Sequence, residues 1–143
     1  MGRIVALDVG QKRTGIAATD PMQVIATGLC TQPTHEVVLF LKEYFSTHEV
    51  ELLVVGEPRT VHGAPSESMQ FITPLLKHIS RTFPELPIEM HDERFTSRMA
   101  QSSILESGVK KKQRQDKGLV DKVSAVLILQ SYLEMRAWNN GRS

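Results

Sequence analysis

Residues 3–19 have the sequence RIVALDVGQKRTGIAAT, and this stretch decides the fold class. Residues 3–9 form an apolar run closed by a glycine, which is typical of a buried strand, and Asp8 lies near the end of that run. Residues 13–19 and 24–31 are rich in Ile, Val, Thr and Ala, so they predict two more strands. Because the connections are short, we expect these three strands to form an antiparallel meander.

After the meander the hydrophobic period changes from two residues to about 3.6. Apolar residues spaced along positions 37–45 predict a helix with one face packed on the sheet. Residues 51–56 (ELLVVG) predict a fourth strand, and because a helix precedes it, that strand is expected to run parallel to a neighbour. A loop containing proline and glycine is predicted at 57–65.

The second half of the chain repeats the alternation of helix and strand. Apolar positions at 72–83 predict a helix, in which Pro74 is expected either to cause a kink or to lie in the first turn. A fifth strand is predicted at 87–91, followed by a short helix at 96–108 and a long helix at 119–137. The predicted order is βββαβαβαα, an α/β domain.

Length and charge limit the possible functions. The chain has 143 residues, which fits one domain, so residues 1–143 are expected to form a single unit. Lys and Arg total 17 and Asp and Glu total 16, giving a net charge of +1. An anionic partner would therefore have to bind a local basic patch. The apolar runs are far shorter than the roughly 20 residues that a membrane span requires, so no membrane partner is expected.

Cys30 is the only cysteine, so an internal disulfide and a C-x-x-C site are both excluded. It is expected to pack in the core, and we expect a reducing, cytoplasmic location. The five histidines show no paired spacing that would predict a zinc site. His91 is expected to pack in the core or on the surface, although a role beside the acids that follow it is also open.

Several carboxylates occupy unusual positions. Asp8 interrupts an apolar strand, although it would also fit a residue that ends the strand by bonding to the turn. Asp121 lies on the same helical stripe as Ala125, although it would also fit an acid that complements the helix dipole. Glu57 and the pair at 92–93 follow the fourth and fifth strands.

In an open α/β sheet, ligands bind at the carboxyl ends of the strands, where these acids are expected to converge. A cluster of carboxylates suits a hard divalent cation such as Mg²⁺, and two such ions support phosphodiester hydrolysis. The alternative is that the acids are scattered on solvated loops. Residues 110–118 (KKKQRQDKG) carry five positive charges and one negative, which suits a polyanion but also fits a solvated loop.

Four motifs occur in order along the chain: LDVGQKRTGIA at 7–17, GEP at 56–58 with Gly63 after it, DERFT at 92–96 and VDKVSAVLILQ at 120–130. Together they resemble the YqgF/RuvX family of RNase H-like nucleases. The resemblance implies an RNase H-like fold, with a mixed five-stranded sheet of three antiparallel and two parallel strands flanked by helices. It also implies an endonuclease that depends on Mg²⁺ or Mn²⁺ and matures the 5′ end of pre-16S ribosomal RNA.

The same resemblance implies that Asp8, Glu93 and Asp121 are the catalytic, metal-binding carboxylates. Glu93 is preferred to Asp92, which remains a further candidate. Glu57 stands where the family usually has an apolar residue, so it is either a fourth ligand or a solvent-facing side chain. The residues expected to bind nucleic acid are all cationic: Lys12, Arg13, Arg59, Arg94, Lys110, Lys111, Lys112 and Arg114.

Two rival functions remain open from the sequence. One is resolution of four-way DNA junctions, which a symmetric dimer with two active sites would favour. The other is a non-catalytic RNase H-like module that binds RNA. The expected partner is therefore structured RNA, on the assembling ribosome or free, or else branched DNA, bound by a monomer or a homodimer. A sugar-kinase or actin-like ATPase is excluded because it needs two such lobes.

Overall fold

The computed structural model describes residues 2–57, 67–92 and 117–141, and in the last segment it describes the side chains of 122–137. The elements are β1 (Arg3–Val9), β2 (Arg13–Thr19), β3 (Ala26–Pro33), a 3-10 turn (Thr34–Glu36), α1 (Val37–Thr47), β4 (Val50–Glu57), α2 (Met69–Thr82), β5 (Ile88–Asp92) and α3 (Lys117–Gly141). The predicted loop beyond Glu57, the predicted helix at 96–108 and most of the basic run at 110–118 lie outside the described residues.

The five strands form one mixed sheet in the order β3-β2-β1-β4-β5. β1 pairs antiparallel with β2, and β2 pairs antiparallel with β3. β4 is parallel to β1, and β5 is parallel to β4. Both parallel pairs follow from the helices that precede these strands and carry the chain back along the sheet. The structure thus confirms the predicted sheet of three antiparallel and two parallel strands, with β1 at its centre.

Helices cover both faces of the sheet. One face packs against α1 and α2, and we call it the α1/α2 face; its buried residues include Leu7, Ile16, Leu41, Leu53, Ile72 and Ile79. The other packs against α3, and we call it the α3 face; its buried residues are Ile4, Ala6, Ala17, Val54, Ala125, Ile128, Leu129 and Tyr132. Because side chains alternate along a strand, Asp8 follows Ile4 and Ala6 on the α3 face.

β3 begins at Ala26, and the prediction that this strand starts at residue 24 was wrong. The cause is the Asp20 carboxylate, which accepts hydrogen bonds from the backbone N–H groups of Met22 (3.0 Å), Val24 (2.9 Å) and Ile25 (2.7 Å). These bonds use donors that a strand would need for pairing, so the chain forms a loop instead. The side chains of Met22, Val24 and Ile25 are left exposed.

The two long helices differ from their predictions in detail. Pro74 lies inside α2, beyond its first turn, which decides against the first-turn alternative. α3 extends past both predicted ends, from Lys117 to Gly141 instead of 119–137. Among the described residues, no helix has the combination of length and apolar character needed to cross a membrane.

Candidate active site

Asp8 is half-buried near the carboxyl end of the central strand, and both neighbouring strands place a glycine beside it. On β2 its register partner is Gly15. On β4, Gly56 follows Val55, the partner of Leu7, and so lies beside Asp8 on the other side. Neither flanking strand therefore projects a side chain next to the Asp8 carboxylate on the α3 face. Glycines inside strands commonly mark such places of close approach.

The turn between β1 and β2 is fixed by hydrogen bonds. The N–H of Gly10 donates to the carbonyl of Arg13 (2.8 Å), and the N–H of Thr34 donates to the carbonyl of Lys12 (3.0 Å). The Thr34 hydroxyl donates to the carbonyl of Gly10 (2.6 Å). A Cβ at position 10 would lie 2.5 Å from the Arg13 oxygen, so this turn requires glycine. The turn thus holds two cationic residues, Lys12 and Arg13, at the carboxyl end of β1.

Glu57 and Asp92 are register partners at the ends of β4 and β5. They alternate in phase with Val55 and Met90, which pack on the α1/α2 face. The structure therefore brings Glu57 and Asp92 together at the same edge of the sheet as Asp8, but on the opposite face.

α3 crosses the face of the sheet that carries Asp8. Its buried stripe begins at Ala125, and Asp121 lies one helical turn earlier, with its side chain outside the described residues. Near this end, Lys122 packs closely over β3, since a Cβ on Gly28 would lie 2.7 Å from Lys122 Cε. Gly28 pairs with Ala17 of β2.

His91 is buried against α3 on the same face. Its Nε2 lies 2.8 Å from Ser131 Oγ, and its ring meets Tyr132 edge-on at a centroid distance of 6.2 Å. Burial lowers the pKa of His91, against the opposing effect of the Asp92 charge. Burial, together with a hydrogen bond to Glu89, raises the pKa of Tyr132 to about 12. These contacts attach β5 to α3 and fit the expectation that His91 packs.

Much of the predicted site lies outside the described residues. Glu93, Arg59, Arg94, Lys110, Lys111, Lys112 and Arg114 are all in this group. Within the part of the chain that the structure describes, no group of three or more metal-ligating side chains is found. Of the three preferred ligands, Asp8 is the one whose side chain is described, and a carboxylate is a donor that a hard divalent cation prefers. Sequence reasoning missed the roles of Gly15 and Gly56, although glycine within a strand pattern was the available indication.

Comparison with known proteins identifies the family. The model of RuvX, described as a Holliday junction resolvase, matches residues 2–135. The chain belongs to the RuvX family. A RuvX relative from Porphyromonas gingivalis is 54% identical over 134 residues, covering 94% of this chain and 97% of the relative. One from Parabacteroides distasonis is 52% identical over 138 residues, covering 96% and 99%. Both carry the provisional name pre-16S rRNA nuclease.

The RuvX fold is also that of RuvC. The structure of Thermus thermophilus RuvC in complex with a Holliday junction substrate aligns with a TM-score of 0.54 and 16% sequence identity, covering 94% of this chain and 96% of RuvC. A second T. thermophilus RuvC structure aligns with a TM-score of 0.53 and 13% sequence identity. At such low sequence identity the alignment is evidence for a shared fold, and it confirms the predicted RNase H-like architecture.

Proposed function

We propose that this RuvX protein is a divalent-metal-dependent endonuclease, and that its substrate is the 5′ region of pre-16S ribosomal RNA in the cytoplasm. The observation that carries the proposal is Asp8, a half-buried carboxylate on the central strand with glycine on either side. The names of its relatives support the choice of RNA.

The metal ligands we propose are Asp8, Glu93 and Asp121. The alternation along β5 counts against Asp92 as a ligand beside Asp8, because His91 contacts α3 and Asp92 falls on the other face. The position of Asp121, one turn before the buried Ala125, supports its place in the same set. Bound Mg²⁺ or Mn²⁺ would supply an activated water and stabilise the leaving oxygen.

The cationic residues have a separate role, which is to hold the substrate backbone. Lys12 and Arg13 stand on the rigid turn after β1, close in sequence to Asp8. Arg13 alternates in phase with Gly15, the partner of Asp8, so it belongs to the α3 face. Both side chains are suited to phosphate oxygens, and we include Arg59, Arg94, Lys110, Lys111, Lys112 and Arg114 in the same function.

The test is a cleavage assay with a pre-16S RNA fragment, a four-way DNA junction and linear duplex controls, each with Mg²⁺, Mn²⁺ or chelator. We expect metal-dependent cleavage of the RNA, and its loss in Asp8→Asn. Asp20→Asn is the matched control, since it makes the same change in the β2–β3 loop. Cleavage in chelator, or full activity of Asp8→Asn, would contradict the proposal.

A second candidate is junction resolution, which the description of the family model favours. It predicts paired nicks in the four-way junction, made by a symmetric dimer, and weaker cleavage of the RNA. A non-catalytic RNA-binding module would instead bind RNA and cleave none of the substrates with either metal. The same assay, together with the oligomeric state in solution, separates the three outcomes.

A further inference from the structure

A cavity of about 530 Å³ lies beside the β1–β2 turn, on the α1/α2 side of the sheet. Its polar walls come from three segments: Gln11 and Lys12 on the turn, Thr34 and His35 on the 3-10 turn, and His78 on α2. Leu75 supplies an apolar wall. The cavity therefore lies next to the proposed active site, but on the opposite face of the sheet from Asp8.

Two of the three segments that line this cavity are fixed to each other by hydrogen bonds. Thr34 donates its N–H to Lys12 and its hydroxyl to Gly10, so the β1–β2 turn and the 3-10 turn are joined at the backbone. The buried hydroxyl of Thr14 lies 3.0 Å from the Thr34 hydroxyl and extends this network into the sheet. Such preorganisation reduces the entropy lost on binding.

The chemistry of the cavity suits a nucleotide. Among the described residues that line it, Lys12 is cationic, His35 and His78 offer ring N–H donors, and none is acidic. A lysine ammonium binds phosphate oxygens. Histidine rings stack on the bases of single-stranded RNA, and an apolar wall such as Leu75 can cover the other face of a base.

We propose that this cavity binds one single-stranded nucleotide of the substrate, adjacent to the nucleotides at the active site. The phosphate would bind Lys12, and the base would stack against His35 or His78. The RNA would pass over the β1–β2 turn at the end of the sheet. Arg13 lies on the side of this turn that faces Asp8, and Lys12 lies on the side of the cavity. This inference rests on the proposed function for its choice of nucleic acid.

Binding can be tested without catalysis. In chelator, the imidazole NMR signals of the wild-type protein are followed as single-stranded RNA, the same sequence as a duplex, or inorganic phosphate is added. We expect single-stranded RNA to shift the signals of His35 and His78. The signal of His48, which stacks on Tyr44 in α1, is the internal control and should not move.

Three results of this titration would overturn the inference. One is no shift of His35 and His78 with single-stranded RNA. Another is an equal shift with the duplex, since a paired base cannot stack in the cavity. The third is an equal shift with inorganic phosphate at the same concentration, which would make the cavity a site for small anions.

Variants give an independent measurement. The double variant His35→Gln, His78→Gln is expected to weaken binding of RNA with a single-stranded extension about tenfold, and binding of the blunt duplex by less than about twofold. Lys77→Gln is the matched control because it removes a full charge next to His78 but from the wall of a different cavity. An equal loss of affinity in Lys77→Gln would show diffuse electrostatic attraction and would overturn the proposal.

The two proposals fail separately. If the wild-type protein cleaves RNA while the histidine signals stay fixed, the cavity proposal alone is wrong. If the signals shift with single-stranded RNA but no substrate is cleaved with Mg²⁺ or Mn²⁺, the nuclease proposal is wrong and the nucleotide site stands.

Discussion

Asp8 is a half-buried carboxylate that ends an otherwise buried stripe of β1. Ile4 and Ala6, which precede it on the α3 face, are fully buried. A carboxylate placed there loses part of its hydration, and in the absence of metal the other proposed ligands, Glu93 and Asp121, would repel it. We therefore expect Asp8→Asn, while losing cleavage, to melt at the same temperature as the wild type or higher. A lower melting temperature would indicate that Asp8 stabilises the fold instead.

Glu57 is a candidate ligand that lies on the opposite face of the sheet from Asp8. It lies on the α1/α2 face at the end of β4, paired with Asp92 and away from the face of Asp8. We predict that Glu57→Leu keeps metal-dependent cleavage, whereas Glu93→Gln loses it. Mg²⁺ completes its octahedron with water and phosphate oxygen, so it needs few protein carboxylates.

The measurement is activity titrated against Mg²⁺ for both variants. Glu57→Leu is expected to reach wild-type activity, at the same Mg²⁺ concentration or a higher one. An inactive Glu57→Leu at saturating Mg²⁺, together with an active Glu93→Gln, would make Glu57 the ligand and our assignment wrong.

Asp20 gives the fold a dependence on pH. Hydrogen bonds from the N–H groups of Ile25, Val24 and Met22 lower its pKa below the ordinary value of 3.8. A carboxylate with a lowered pKa stabilises the folded state above its unfolded pKa, and this contribution is lost as the pH falls through the folded pKa. The stabilisation is therefore present above about pH 4 and disappears below it.

The prediction is tested by melting wild type and Asp20→Asn between pH 2.5 and pH 6. The wild type should melt higher at pH 6, and the difference should shrink below about pH 4. A difference that is constant with pH would show that the charge of Asp20 does not matter to the loop.

At the scale of whole elements, hydrophobic period predicted all five strands and the helices on the described segments. The predicted start of β3 was wrong because the Asp20 carboxylate accepts hydrogen bonds from backbone N–H groups that a strand would need. The hydrophobic period of the sequence also does not show which strands are neighbours in the sheet. The placement of Gly15 and Gly56 beside Asp8 depends on register between distant segments, so it became visible only in the folded sheet.

The packing of α3 on β3 gives a further prediction. A Cβ at Gly28 would lie 2.9 Å from Lys122 Cγ and 3.3 Å from Val126 Cγ2. Gly28→Val should therefore push the first half of α3 away from the sheet, at a cost of about 1–3 kcal/mol in the free energy of unfolding. Because Asp121 precedes Lys122, we expect the turnover number to fall as well.

Thr27→Val is the control for this change. Thr27 is the exposed neighbour of Gly28 and pairs with Ala18, which lies on the α1/α2 face. Its substitution should change stability by less than about 0.5 kcal/mol and leave cleavage intact. Denaturant unfolding and steady-state kinetics of both variants measure the difference. Equal turnover in Gly28→Val and wild type would show that the position of α3 over β3 does not set the active site.

Over the whole molecule, the two ends of the strands carry different sets of charges. Lys12 and Arg13 lie at the end where β1 finishes, together with the carboxylates of Asp8, Glu57 and Asp92. At the other end, where β4 begins, Glu49, Glu51 and Glu85 line a cavity together with Phe45. A polyanion is repelled from that acidic cavity. Because the chain has a net charge of only +1, binding at the end that carries Asp8 depends on local cations such as Lys12 and Arg13.

The basic run at 110–118 is expected to bind the phosphate backbone of the substrate. Replacing Lys110, Lys111, Lys112 and Arg114 with Gln should weaken binding of all nucleic acids while barely changing sequence preference, because binding to phosphates carries no base information. For duplex DNA, the slope of log affinity against log salt should flatten by up to about 0.9 for each phosphate that the variant no longer neutralises. The control removes Lys42 and Lys77 from α1 and α2, where the proposal places no part of the active site. If the four-residue variant keeps the wild-type slope, the run neutralises no phosphate, and the backbone is held by Lys12 and Arg13 without it.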